Sequence, residues 1–309
     1  QEKVQKEIEA QTRITQLFSQ YAIKEVSVHT EAAYKAMFKN EAKFYQVSCS
    51  ATPMECLNDP KLIVMQEITI DDAKQNGKVL AVNGILNGDS RATQLAYQNV
   101  PEDQSTGQKP DSLTLMHIAP ADTGFGELLV AGYEKFLAST FGYTIADTTY
   151  ADALQGRGDL ETLSLGHSRG TIVQKNALDI VASMGYVNQG LSVFGVGGAV
   201  GYEEYAASAR KVIKLDDTKQ LEQQIIYTYF ANDPVSVIAA GNPGDAISAF
   251  KDLSNVIKTS NSAHSCYGTG AKDCSTIANP VPGGPTPTNQ NSDLIRVYRN
   301  GKLAQSGQH

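Results

Sequence analysis

From residue 78 onward the chain alternates short apolar runs with longer amphipathic segments, and this order constrains the fold more than any other feature. Lys78-Val-Leu-Ala-Val82 reads as a buried strand ending in Asn83-Gly84, with a helix expected from Asp89, as N-cap, to Gln98. Ser112-Leu-Thr-Leu-Met-His-Ile118 reads as the next strand, with a helix after it over residues 126–140. Strand Thr162-Leu-Ser-Leu165 leads into Gly166-His-Ser-Arg-Gly170, and a helix is expected over 171–184. Strands at Leu191-Ser-Val-Phe194 and Ile225-Ile-Tyr-Thr-Tyr-Phe230 flank a less regular stretch, and a last helix covers 245–257. Short apolar strands alternating with longer helices specify a parallel sheet, because parallel strands need crossovers and the crossovers lay helices on both faces. With right-handed crossovers this predicts a three-layer, mainly parallel α/β domain with helices on both faces over residues 46–275.

Residues 1–45 place Val4, Ile8, Ile14, Leu17 and Phe18 near helical spacing, are rich in Gln, Glu and Lys, and lack Gly and Pro. They predict a helical lead-in. Residues 46–77 hold a possible edge strand, Leu62-Ile-Val-Met65. The tail, 276–309, is Pro- and Gly-rich over 279–291, and its Ile295-Arg-Val-Tyr-Arg-Asn300-Gly301 reads as an edge strand entering an Asn-Gly turn.

A net charge of −7 argues against a nucleic-acid partner, which favours a basic surface. No apolar run approaches the roughly 20 residues of a membrane-spanning helix. The chain starts at Gln1, without an initiator Met or a signal segment, and is expected to be a piece of a longer polypeptide. Its four cysteines form two close pairs, Cys49 with Cys56 and Cys266 with Cys274, without C-x-x-C spacing or a histidine cluster. They read as disulfide candidates in an oxidising compartment rather than as a metal site, and no metal or cofactor is expected.

Gly166-His-Ser-Arg-Gly170 matches G-x-S-x-G. That pattern puts Ser168 on a tight strand-to-helix turn, where crowding admits only small residues two before and two after the nucleophile. The helix that follows points its positive end at a forming oxyanion. A serine nucleophile needs a base and the base needs a carboxylate, in the chain order Ser, acid, His. Downstream of Ser168 the histidines are His264 and the terminal His309, so His264 is the expected base. Asp233 is the expected carboxylate, since it follows an apolar strand and precedes Pro234, where the chain must turn. Asp216 and Asp217 precede that strand, and Asp245 reads as a helix cap.

The oxyanion donors are expected to be the backbone N–H of Arg169 and that of Gly84 or Ile85, with Ala119-Pro-Ala-Asp-Thr-Gly124 as an alternative wall of the pocket. His167 reads as a packed residue pointing away from Ser168, and His117 as core or pocket lining. The Arg169 side chain reads as half of a structural ion pair. Gly195-Val-Gly-Gly198 lacks the following G-K-S/T of a phosphate loop.

The run Val4-Gln-Lys-Glu-Ile-Glu-Ala-Gln-Thr-Arg-Ile-Thr-Gln-Leu-Phe18 resembles the C-terminal regions of filamentous haemagglutinins and contact-dependent growth inhibition proteins. So do Val82-Asn-Gly-Ile85, Glu127-Leu-Leu-Val-Ala-Gly-Tyr133, Gly166-His-Ser-Arg-Gly170, and the stretch from His264-Ser-Cys-Tyr-Gly268 through Pro280-Val-Pro-Gly-Gly284. The resemblance implies a secreted, cell-surface piece of a large exported protein of a Gram-negative bacterium, delivered into a neighbouring cell and countered by an immunity protein. It leaves open whether this piece is the toxin or a module preceding it. The elbow separately resembles lipases and esterases, which implies an ester substrate, of lipid or phospholipid by analogy. A serine hydrolase acting through an acyl-enzyme is therefore expected. The alternatives are an amidase or peptidase with the same triad, and a non-catalytic adhesin or delivery module on a hydrolase-like scaffold.

Overall fold

In a computed structural model of the chain, the described residues are 12, 16, 27–84, 88–102, 108–118, 120–121, 124–257, 262–267 and 295–306. Most of the expected helical lead-in and the Pro/Gly-rich run 279–291 lie outside them. Within them a helix (α1) covers 27–38.

The described residues form a mixed α/β molecule built on a nine-stranded sheet. Its centre is five parallel strands in the order β4 (Ser112–His117), β3 (Val79–Val82), β5 (Thr162–His167), β6 (Leu191–Val196) and β7 (Ile225–Phe230). Antiparallel strands complete both sides. β1 (Lys43–Cys49) pairs with β4 and with β2 (Ile63–Ile68), while β8 (Ile295–Arg299) pairs with β7 and with β9 (Lys302–Ser306). The β8–β9 hairpin turns on Asn300 and Gly301, at φ 47° and 78°, the double positive φ of a two-residue type I′ turn.

Two-residue periodicity sends Ser164 and Leu165 of β5 to opposite faces. Ser164 meets Tyr150 of α7 (Ile145–Gly156) and Gln174 of α8 (Gly170–Ser183), whereas Leu165 shares a small cavity with Leu95 and Ala96 of α4 (Asp89–Asn99). The sheet is thus covered on both sides, and β3, β5, β6 and β7 all end in one crevice at their C-terminal tips.

Several elements differ from expectation. β1 begins inside the stretch read as helical, because Phe44-Tyr45-Gln46-Val47 supplies the aromatic and β-branched side chains that a strand paired on both sides can bury. The cap of α4 falls on Gly88, one residue early, with no side chain to hold the first turn. The helix expected over 126–140 is two, α5 (Gly124–Phe136) and α6 (Ala138–Phe141), broken at Leu137. Helix α7 follows a capping box of Thr144 and Asp147, and the stretch read as irregular holds α9 (Tyr202–Ile213) and α10 (Thr218–Gln224). Asp245 does cap a helix, accepting the N–H groups of Ile247 and Ser248 at the start of α11 (Ala246–Ile257). Cys49 and Cys56 form a disulfide joining the end of β1 to α2 (Pro53–Asn58). Cys266 is buried, and Cys274 lies outside the described residues.

Candidate active site

At the tip of β5 the chain reverses through Ser168 and enters α8 at once. Ser168 has φ 56°, a left-handed conformation that costs an L-residue about 1–2 kcal/mol. The turn is held by its own backbone: Ser168 N–H donates to Val196 O at 3.1 Å, and Ser168 O accepts from Ala199 and Thr171. It works only because Gly170 lies against β3, where a Cβ would come within 2.5 Å of Val82 O and 2.9 Å of Asn83 O. Gly84 closes the other side. A Cβ there would sit 2.7 Å from Ser168 Cβ and 3.3 Å from Ser168 Oγ.

Asp233 follows β7, and the single-turn π-helix Val235–Ala239 after it aims backbone N–H groups at the carboxylate. Asp233 Oδ1 accepts from Val235 N at 2.8 Å and Ser236 N at 3.4 Å. Tyr267 Oη donates to Oδ2 at 2.6 Å. His264, on the short helix Ala263–Ser265, turns Nδ1 to both oxygens at 3.1 and 3.0 Å. Burial pushes the Asp233 carboxyl up, but the His264 ring and these hydrogen bonds outweigh it, so the group stays below its usual range. A histidine whose Nδ1–H is given to a carboxylate keeps Nε2 for proton transfer.

His167 brings the serine and this pair together. It precedes Ser168, its ring stacks on the His264 ring with centroids 4.8 Å apart, and its Nε2 lies 3.1 Å from His264 O. Asp233 reaches the same place from β7, since a Cβ on Gly197, next to Val196, would be 3.1 Å from Asp233 Oδ2. Ser168 Oγ is buried and has no hydrogen-bond partner among the described residues.

Arg169 is the N-cap of α8, where backbone N–H groups have no partner inside the helix. Its guanidinium is fully buried and held by Glu134 at 2.7 Å through both Nε and Nη2, with Glu127 at 3.5 Å from Nη1. Glu127 also accepts the N–H of Ala121, in the loop named as an alternative pocket wall. Asn83 holds the other side of the crevice, donating to Gly84 O at 2.9 Å and accepting from Ile118 N at 2.8 Å. Ile85 and His309 lie outside the described residues. His117 packs edge-on against Tyr45, on β4.

Sequence reasoning missed His167 as a neighbour of His264, Tyr267 as a donor to Asp233, and Asn83 and Glu134 as anchors. The only signal in the sequence was closeness to named residues: His167 adjoins Ser168, Asn83 adjoins Gly84, and Tyr267 follows His264 by three. Among the described residues no group of His, Cys, Asp and Glu is arranged to hold a metal, and no helix is long and apolar enough to cross a membrane.

The class defined by these features is a mixed α/β protein with a mainly parallel central sheet, whose Asp–His pair and strained serine share one crevice. No family model matches the chain, and no curated protein matches it in sequence.

Proposed function

We propose that this chain is a serine hydrolase with an α/β-hydrolase-type fold, cleaving an ester through an acyl-enzyme on Ser168. One observation carries the reading: a serine strained to φ 56° on a strand-to-helix turn shares its crevice with a buried, hydrogen-bonded Asp233–His264 pair. Strain of this kind persists only where the surroundings enforce it, and it concentrates at functional sites.

Ser168 Oγ attacks the ester carbonyl carbon while His264 Nε2 takes its proton. Asp233 holds the ring and balances the imidazolium charge. The N–H of Arg169, with that of Gly84 or Ile85, receives the oxyanion. Collapse expels the alcohol, which leaves with the proton from His264, and water repeats the sequence on the acyl-enzyme.

A lipid or phospholipid ester suits exposed apolar side chains near the crevice. Ile247 and Phe250 stand 72% and 70% exposed on α11, which packs on the segments after Asp233 and around His264. Phe136 and Phe141 are exposed on α5 and α6, where Lys135 bonds Ala239 O at the end of the π-turn. The resemblance to haemagglutinin and growth-inhibition proteins adds a secreted or surface setting, a toxin role and a cognate immunity protein.

A second reading, a non-catalytic adhesin or delivery module, draws on the buried Ser168 Oγ, which makes no hydrogen bond to His264. Fluorophosphonate labelling with mass mapping of the adduct separates the two. An adduct on Ser168 that disappears in His264→Ala supports the hydrolase. A folded protein that takes up no label supports the scaffold. Matched ester and amide substrates then divide esterase from amidase or peptidase.

A further inference from the structure

His167 is a buried titratable group for which the reaction above has no use, yet it makes two contacts with the proposed base. Its Nε2 lies 3.1 Å from His264 O, and a carbonyl only accepts, so Nε2 carries the proton. Its ring stacks on His264 at an interplanar angle of 24°. The remaining nitrogen, Nδ1, is buried and has no hydrogen-bond partner among the described residues. His167 and Asn99 line one small cavity of about 10 Å³ at the elbow, together with Gly84, Leu95 and Leu165. Both polar atoms of the Asn99 side chain, Oδ1 and Nδ2, are also buried without a partner among the described residues. Unpaired buried polar atoms are costly, and a space of this size admits about one water.

We propose that His167 is a positioning residue for His264, held in its Nε2–H tautomer by one water bound between His167 Nδ1 and Asn99. The inference rests on the reading of His264 as the base. The water donates to Nδ1 and exchanges hydrogen bonds with the Asn99 amide, so Nε2–H stays committed to the His264 carbonyl. That bond and the stack fix the His264 segment from below, which keeps Nδ1 of His264 on Asp233. A neutral ring is needed there, because an imidazolium beneath His264 would oppose the charge that His264 gains in turnover. Burial, and then the neighbouring His264, hold the His167 pKa down to about 3. The other groups acting on it are Asp233 and Arg91, with the Tyr267 ring packed edge-on.

Long-range proton–nitrogen NMR on the full chain tests this directly, since only five histidines contribute signals. His167 should show the neutral Nε2–H tautomer from about pH 5 to 8. In His167→Phe, which keeps a flat ring but loses both nitrogens, the proton signal of His264 Nδ1–H should move from its wild-type position. The phosphonylation rate at Ser168 should fall about tenfold in the same variant. Asn99→Leu should let the His167 tautomers mix and slow phosphonylation by about threefold.

A His167 found protonated or in the Nδ1–H tautomer overturns the proposal, as does an unmoved His264 Nδ1–H signal in folded His167→Phe. If His167→Phe does not fold, the wild-type tautomer and Asn99→Leu decide. Should wild-type Ser168 take no label while the His264 Nδ1–H signal still follows His167, the hydrolase reading fails and the positioning role stands.

Discussion

Ser168 holds a left-handed backbone that nothing in its side chain favours. The neighbours that impose it, Val196 O and the helix start at Gly170, belong to the surrounding fold. Ser168→Gly should therefore relieve about 1–2 kcal/mol of strain and give back roughly 0.5–1 through the freer unfolded chain. Urea denaturation should show Ser168→Gly more stable than Ser168→Ala, which loses the same hydroxyl, by up to about 1.5 kcal/mol, with both variants losing all labelling. A glycine variant less stable than the alanine variant would mean the turn is not strained. Ser164 offers the contrast, since it is buried and bonded to Tyr150 Oη and Gln174 Nε2, each at 2.7 Å. Ser164→Ala should cost about 1 kcal/mol and leave the label on Ser168.

At the scale of elements, the crevice depends on how closely α8 approaches β3. Gly170→Ala puts a methyl group 2.5 Å from Val82 O, and backbone cannot step aside as a side chain can. The two elements must part, at a cost of about 2–3 kcal/mol, which moves the Arg169 N–H relative to Gly84 and slows labelling. Gly132→Ala on α5 is the control: nothing lies within 4 Å, and helix propensity predicts a gain of about 0.5–1 kcal/mol. Removing the Cys49–Cys56 loop, far from the crevice, should cost about 2 kcal/mol in denaturation and leave labelling intact. Elements were legible in the sequence where burial was carried by large side chains. The central parallel strands are runs of Val, Leu, Ile and aromatics, and they fall where those runs do. Helix α7 hid because half of its buried positions are alanine, at 146, 151 and 153, and another is Asp147, which leaves Tyr150 and Leu154 to carry the hydrophobic signal. β1 hid because a strand starting within a charged, glycine-free segment looks like more helix. The serine, aspartate and histidine could be named because few residues of the right type occur in the right order. Their supports could not, since Tyr267, His167 and Glu134 gain meaning only through contacts made across the fold.

Over the whole molecule, two buried groups on different elements pull stability in opposite directions with pH. Asp147 belongs to a buried cluster in which three carboxylates, with Glu127 and Glu134, face the single guanidinium of Arg169. Burial and then the Glu134 charge push the Asp147 pKa up to about 8, despite the hydrogen bonds it accepts from Thr144 and Asn176. A carboxyl raised in the folded state stabilises fully below its unfolded pKa, 3.8, and that stability is lost as pH rises through about 8. His167 runs the other way: its contribution is complete above 6.5 and is lost as pH falls towards about 3. Between the two limits the slopes oppose, each about 1.4 kcal/mol per pH unit. Above pH 6.5 the Asp147 slope acts without the His167 counterweight, and Glu127, also raised by burial, has the same sign as Asp147. Below about pH 4 the loss from His167 joins that from Asp233, whose lowered pKa stabilises only while the carboxylate stays charged. Urea denaturation at steps from pH 3 to 8 should therefore peak on the acid side of neutrality. In Asp147→Asn the decline from pH 6.5 to 8 should shrink by about 2 kcal/mol while the acid limb keeps its slope. His167→Phe should flatten the acid limb and leave the alkaline decline in place. If Asp147→Asn leaves that decline unchanged, Asp147 is already ionised in the folded protein. The guanidinium would then be satisfying three charged carboxylates at once.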